Sequence, residues 1–302
     1  MRTAHPLGLA SDRTCYHPVE FASRTPHGMQ QYVPIMELQF DGDYAQANGI
    51  DLPIIVINLP HRIDRWQILS QRMSAIGLTK LIRAPAIEGA RLPTKQIDAL
   101  LRSPSDFTNE APRSHLTLTP PAIGCFLSHL AIWRRMLGTD LPRVLILEDD
   151  AAPAAKFSAA RLRNVLAEES DEIGLVFLGC MIMGGLADKR HRSNLARIYY
   201  FNGTFAYLIT PATCQVLLQN LLPLHAHIDH QISKVLFEHR HVFPAYYVTP
   251  RLFEPDWSLR SDCYVPLSDD FAADRELVQI MDARRRVLLE EGRSLLSVPA
   301  AS

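Results

Sequence analysis

The sequence predicts an α/β protein with a mostly parallel central sheet flanked by helices, and three observations carry that expectation. The runs Ile54-Ile55-Val56-Ile57 and Val144-Leu145-Ile146-Leu147 are apolar at every position, as strands covered on both faces are. Other segments repeat apolar residues every three or four positions, the mark of helices that bury one face. Strand-like and helix-like segments alternate along the chain, which implies parallel strands joined by helical crossovers.

Taken in order, residues 1–50 are rich in Pro, Gly, His and polar residues and read as an irregular, loosely packed extension. The run from Ile54 ends at Asn58-Leu59-Pro60, after which Ile63, Trp66, Leu69, Met73 and Ile76 mark a helix that Gly77 should terminate. Six prolines between Pro85 and Pro121 break residues 80–120 into a long connecting segment of the kind that often carries function. A helix from Ile123 to Leu137 then leads into the strand from Val144. Further strands are expected at Leu175 to Leu178, Phe205 to Ile209 and Tyr246 to Val248, with helices near 155–168, 211–221 and 229–238. The tail from Phe271 to about Leu296 reads as a helix. The division expected is an extension over 1–50, a catalytic unit over 51–265 and a helical tail over 266–302.

Composition narrows the function classes. In 302 residues, 31 basic and 32 acidic side chains leave a net charge of −1, so no global field attracts nucleic acid and any bound phosphate must be recognised locally. Five scattered cysteines without CxxC spacing argue against a disulfide framework or structural zinc and favour a reducing cytoplasm. No stretch approaches the ~20 apolar residues of a membrane span, and the first twenty residues lack an apolar signal core. A membrane substrate would be met peripherally, from the surface. No GxSxG, P-loop or GxGxxG pattern occurs.

The strongest chemical signal is Glu148-Asp149-Asp150, directly after an apolar strand. Crowded carboxylates raise one another's pKa values unless a cation neutralises them, and ligands collect at the carboxyl ends of strands in α/β sheets. In extended chain residues i and i+2 point the same way, so Glu148 and Asp150 can face a divalent metal while Asp149 points elsewhere. The competing reading is a solvated acidic loop opening a helix. Arg62 and Arg65, in the first turn of the helix after Pro60, sit where cations are disfavoured, so a bound diphosphate would explain them; neutralisation by Asp64 would do equally well. His225, His227, Asp229 and His230 resemble a metal cluster by composition, but Ile228, Ile232 and Val235 mark a helix that would fan the histidines apart. Asp229 could serve as a base or as an ordinary acid in a first helical turn. Ser128 and His129 are adjacent on a helix and point about 100° apart, so they make no nucleophile–base pair.

Six blocks in this order resemble glycosyltransferase family 25, which includes bacterial lipooligosaccharide galactosyltransferases and has collagen galactosyltransferases among its relatives. They are Ile55 to Arg65 with its Asn58-Leu59 and arginines; Ala84-Pro85-Ala86-Ile87-Glu88-Gly89; Thr119 to Leu130 with Gly124-Cys125 and Ser128-His129; Leu145 to Asp150; Gly203 to Ile209 with Thr204 and Tyr207; and Ile228-Asp229-His230. The resemblance runs from Ile54 to about Asp262. It implies a GT-A-type nucleotide-sugar-binding fold, a UDP-sugar donor with UDP-galactose favoured, Mn²⁺ or Mg²⁺ on the diphosphate, and inverting transfer to a glycan or glycolipid acceptor such as lipooligosaccharide.

On that basis Glu148 and Asp150 are expected to hold the metal, and Asp229 or Asp262 to act as base. Asn58, Leu59, Arg62, Arg65, Glu88, Gly124, Ser128, His129, Asp149, Thr204 and Tyr207 are expected to bind substrate. The alternatives are a nucleotidyltransferase using the same acidic motif and a non-catalytic UDP-sugar-binding relative.

Overall fold

The computed structural model describes residues 33–40, 43–109, 117–168, 173–182, 187–188, 194–240 and 244–259. Its strands are β1 (Ile54–Asn58), β2 (Ile82–Pro85), β3 (Val144–Glu148), β4 (Ala151–Pro153), β5 (Leu175–Ile182), β6 (Ala187–Asp188), β7 (Leu195–Ile198), β8 (Phe201–Ile209), β9 (Ala245–Val248) and β10 (Phe253–Pro255). Its helices are α1 (Tyr44–Asn48), α2 (Ile63–Ala75), α3 (Thr94–Leu100), α4 (Pro120–Met136), α5 (Ala159–Glu168), α6 (Pro211–Asn220) and α7 (Ile228–Glu238).

Eight strands form one sheet in the order β2-β1-β3-β8-β5-β9-β7-β6, and β4 pairs with β10 in a separate ribbon. The α/β class expected from the sequence is what the chain adopts. Parallel pairing holds β1 to β2 and to β3, and β5 to β9. The rest is antiparallel: β8 against β3 and β5, and β7 against β9 and β6. The sheet is therefore mixed rather than mostly parallel. Among the described residues no helix separates β5 from β8, and without a crossover nothing forces a strand to return in the same direction.

Covering on both faces explains the apolar runs. Ile55, Ile57, Val144 and Ile146 enter the core under α4, α6 and α7, whereas Ile54, Val56, Leu145 and Leu147 enter the core under α2 and α5. Helix α2 stops where expected: Gly77, at φ +83°, donates to Ser74 while Leu78 donates to Met73, closing a Schellman motif that needs a left-handed residue. Helix α4 begins with Thr119 accepting from the Ala122 amide, and prolines fill its first two positions, where an N–H would go unused.

Residues 33–40, part of the expected extension, are packed against the core. Val33, Met36 and Leu38 are buried in the α4 core, and Arg135 donates to the Leu38 carbonyl. Their polar, aperiodic sequence hides three apolar anchors. The tail over 266–302 lies outside the described residues.

Candidate active site

Strand direction brings three sequence blocks to one edge of the sheet. Parallel β1 and β3 end there in Asn58 and Glu148, and β8, running the opposite way, contributes its first half with Gly203 and Thr204. The Glu148-Asp149-Asp150 triplet lies at the centre of this edge.

Asp149 faces β1 and is held there. Its Oδ2 accepts from Asn58 Nδ2 at 2.7 Å and its Oδ1 from Arg65 Nη1 at 2.8 Å, with all three side chains buried. Burial pushes the Asp149 carboxyl up, and Arg65 and Asn58 pull it back. Asn58 also donates to the Arg62 carbonyl and accepts from the Arg83 guanidinium, which lies over the Trp66 ring and reaches the Pro60 carbonyl. Arg83 is a part of the site that the sequence reading missed. It belongs to no charge run, and only the β1/β2 register carries it to Asn58.

These partners change what the residues can do. Arg65 and Asn58 were expected to meet the donor phosphates or nucleotide; the structure spends them on Asp149, inside the protein. Arg62 is partly exposed and forks onto Asp64 at 3.0 and 2.8 Å, holding that carboxyl down to about 2. The compensation by Asp64 weighed against a bound diphosphate is thus present.

Asp150 has the opposite environment. Its Oδ1 is buried without a hydrogen-bond partner, and burial together with the charges of Glu148 and Asp149 pushes its carboxyl up to about 7. An unsatisfied buried acceptor costs roughly 1–3 kcal/mol, more when charged. A divalent cation with oxygen ligands would remove both penalties, so the donor set of Asp150 and Glu148 fits Mn²⁺ or Mg²⁺.

Glu148 faces β8 and α4. Its Oε1 accepts from the Thr204 hydroxyl and lies 3.2 Å from His129 Nε2. His129 Nδ1 is 2.7 Å from the Tyr207 hydroxyl, which also accepts from Trp133 Nε1 at 3.1 Å. Cys125, one turn before His129 on α4, completes a Cys125-His129-Glu148 group whose ligand atoms lie within 4.8 Å of one another.

Ser128, His129 and Tyr207, expected to line the substrate pocket, are at most 1% exposed, and Thr204 is 3% exposed. They lie inside the protein rather than on its surface. The Ser128 hydroxyl accepts from the Ile87 amide at 2.8 Å and donates to the Gly124 carbonyl at 2.7 Å, pinning the segment after β2 to α4. Gly124 and Gly89 meet at that seam. A Cβ on Gly89 would sit 1.6 Å from the Pro120 carbonyl oxygen, and one on Gly124 would sit 2.4 Å from the Ile87 carbonyl oxygen. Gly124 is a contact surface of the fold rather than a substrate contact. Glu88 pairs with Arg91 at 2.8 Å, and Leu59 is half-buried at the end of β1.

Asp229 reaches the same edge through Gly203. Its Oδ2 accepts from the Gly203 amide at 2.8 Å and its Oδ1 from the His230 amide at 2.9 Å. Burial alone would raise its pKa, but His230, His227 and these two N–H donors outweigh that and hold it below the ordinary carboxylate value. With both oxygens committed and its proton affinity lowered, Asp229 is poorly suited to the expected role of base and well suited to tying α7 to β8. The neighbouring histidines go separate ways: His230 to the Tyr200 hydroxyl, His227 to the Thr117 carbonyl and His225 to the Pro223 carbonyl. Among the described residues they gather no metal site. Asp262 lies outside the described residues.

Residues 51–232 match the family model described as "Glycosyltransferase family 25 (LPS biosynthesis protein)". A glycosyltransferase 25 family member of Drosophila melanogaster is 31% identical over 68% of this chain and 37% of its own length. Human procollagen galactosyltransferase 2 is 27% identical over 62% and 29% of the two chains, and human inactive glycosyltransferase 25 family member 3 is 37% identical over 48% and 26%. The chain thus spans well under half the length of these relatives. Among solved structures, mouse xyloside xylosyltransferase 1 in its apo form aligns with 71% of this chain and 78% of that one, at a TM-score of 0.35 and 12% identity. With the family model matching over half of the sequence, including the acidic strand end and the buried Ser-His pair on α4, the chain belongs to glycosyltransferase family 25.

Proposed function

We propose that this protein is a metal-assisted glycosyltransferase that moves a hexose, galactose by preference, from a UDP-sugar to a saccharide acceptor of a surface glycan. The observation that carries the reading is the contrast inside the triplet. Asp149 is neutralised within the protein, whereas Asp150, half-buried beside Glu148, has a buried Oδ1 that no group among the described residues satisfies. Such an arrangement is costly unless a cation binds.

Glu148 and Asp150 would hold Mn²⁺ or Mg²⁺, and the bound ion would neutralise charge developing on the departing UDP. Around it the chain supplies positioning. Asn58 and Arg65 keep Asp149 from competing for the cation, Thr204 fixes Glu148, and Asp229 holds β8 through Gly203. The single displacement of an inverting transfer needs a base for the acceptor hydroxyl; with Asp229 committed to two amides, we assign that role to Asp262.

The test is UDP release from a panel of UDP-sugars with and without Mn²⁺. Metal-dependent release that rises with a saccharide acceptor supports the reading, and full activity in excess chelator overturns it. The resemblance to a human relative named as inactive gives the second reading, a binding protein. That reading would be supported by metal-dependent UDP binding with no transfer to any acceptor.

A further inference from the structure

The side chains between α4 and β8 are buried more deeply than substrate contacts would be, yet Trp133, Tyr207 and His129 form a hydrogen-bonded series that ends on Glu148. Trp133 Nε1 can only donate, so it occupies a lone pair of the Tyr207 oxygen. The Tyr207 hydroxyl, itself fully buried, must then send its own proton elsewhere, and His129 Nδ1 at 2.7 Å is the acceptor in reach. Accepting on Nδ1 leaves His129 with its proton on Nε2, where it donates to Glu148 Oε1. The reverse tautomer, or an imidazolium, would strand the buried Tyr207 proton, a desolvation penalty that folded proteins rarely leave unpaid.

We propose that Trp133, Tyr207 and His129 form a one-way hydrogen-bond relay that aims Glu148, fixing Oε1 so that Oε2 is presented to the cation. His129 and Tyr207 are positioning residues in this account, and the account rests on the reading of Glu148 as a metal-holding residue. Thr204 donates to the same Oε1 from β8, so two elements grip one oxygen and neither takes the other. The relay also decides the role of the Cys125-His129-Glu148 group. With a proton on Nε2, His129 has no lone pair to offer a metal there, so it supports the carboxylate instead of joining it as a ligand.

The experiment is calorimetric titration of UDP into the full chain with and without Mn²⁺, for the parent and for Tyr207→Phe, His129→Leu, His129→Gln and Glu148→Gln. Tyr207→Phe removes a single oxygen and is the variant most certain to fold, which circular dichroism checks. Losing a partner that orients a metal ligand typically weakens metal affinity by about 10- to 100-fold. Metal-dependent UDP binding should fall by about that much in Tyr207→Phe and His129→Leu, with UDP binding in the absence of metal unchanged. His129→Gln, whose amide can place an N–H near Oε1, should recover most of the loss.

Undiminished metal-dependent binding in folded Tyr207→Phe and His129→Leu, alongside a loss in Glu148→Gln, overturns the relay alone. If Glu148→Gln itself binds normally with metal, the reading of Glu148 fails and the relay with it. A loss in His129→Gln as deep as in His129→Leu overturns the relay in favour of His129 as a ligand.

Discussion

The two sides of the β3 end treat their carboxylates in opposite ways. On the β1 side Asp149 meets a guanidinium and an amide, and its charge is cancelled inside the protein. On the β8 side Glu148 meets a hydroxyl and an imidazole, donors that orient a carboxylate without a permanent cation. Asp150, between them, has a buried oxygen with no hydrogen-bond partner among the described residues. Charge is neutralised on the β1 side and left standing where the proposed cation would bind. Cation affinity can be built this way from three consecutive acids that would otherwise simply repel one another.

Breaking the unneutralised half of this contrast should have the largest effect. Asp150→Ala is expected to reduce UDP release by more than about 100-fold, consistent with the loss of a transition-state charge stabiliser, while leaving the melting temperature unchanged or higher because an unsatisfied buried acceptor is removed. Full activity in that variant would sink the metal assignment. Breaking the neutralised half should instead unfold the protein. Arg65→Leu leaves Asp149 buried and unpaired, with side-chain exposures of 5% and 11% in the native pair, and a loss of about 3–5 kcal/mol is expected in urea unfolding.

A smaller effect, about 1–3 kcal/mol, is expected for Asp229→Asn, because one of its two amide partners loses its acceptor. Its pH dependence carries a sign. The folded pKa of Asp229 lies below the ordinary 3.8, so its contribution is complete above 3.8 and is lost as the pH falls through the lower folded value. The difference in stability between parent and Asp229→Asn should therefore persist at neutral pH and shrink in acid; a gap that widens in acid contradicts the assignment. The smallest effect is expected for Arg62→Ala, whose exposed pair with Asp64 should leave the melting temperature within error. If its KM for the UDP-sugar nevertheless rises several-fold, Arg62 reaches the donor after all.

The layering was legible because burial on both faces leaves a mark at every residue of a strand such as Ile54 to Ile57. A period of two was expected to set Asp149 apart from Glu148 and Asp150, but the strand ends at Glu148 and the next two acids lie in a turn, so it is Asn58 on β1 and Arg65 on α2 that hold Asp149. Strand direction was not legible, because polarity pattern is the same whichever way β8 runs. The clamp was hidden for a related reason. Asn58 and Asp149 lie 91 positions apart, and nothing local to Arg83 signals that β2 will set it beside Asn58. Ser128, His129 and Tyr207 misled by residue type: polar side chains suggest a surface, yet here they are buried, His129 and Tyr207 bonded to each other and Ser128 to the backbone at Ile87 and Gly124.

The seam where Gly89 meets Gly124 ties these observations to movement. Two backbones in direct contact, with the Ser128 hydroxyl bridging them, leave no slack between the segment carrying Glu88 and the helix carrying His129. Any shift of α4 along its axis would be delivered at once to the segment carrying Glu88 and, through His129, to Glu148. The segment after β2 and the carboxylate proposed to hold the cation are thus machined from one part, and neither can be retuned without carrying the other along.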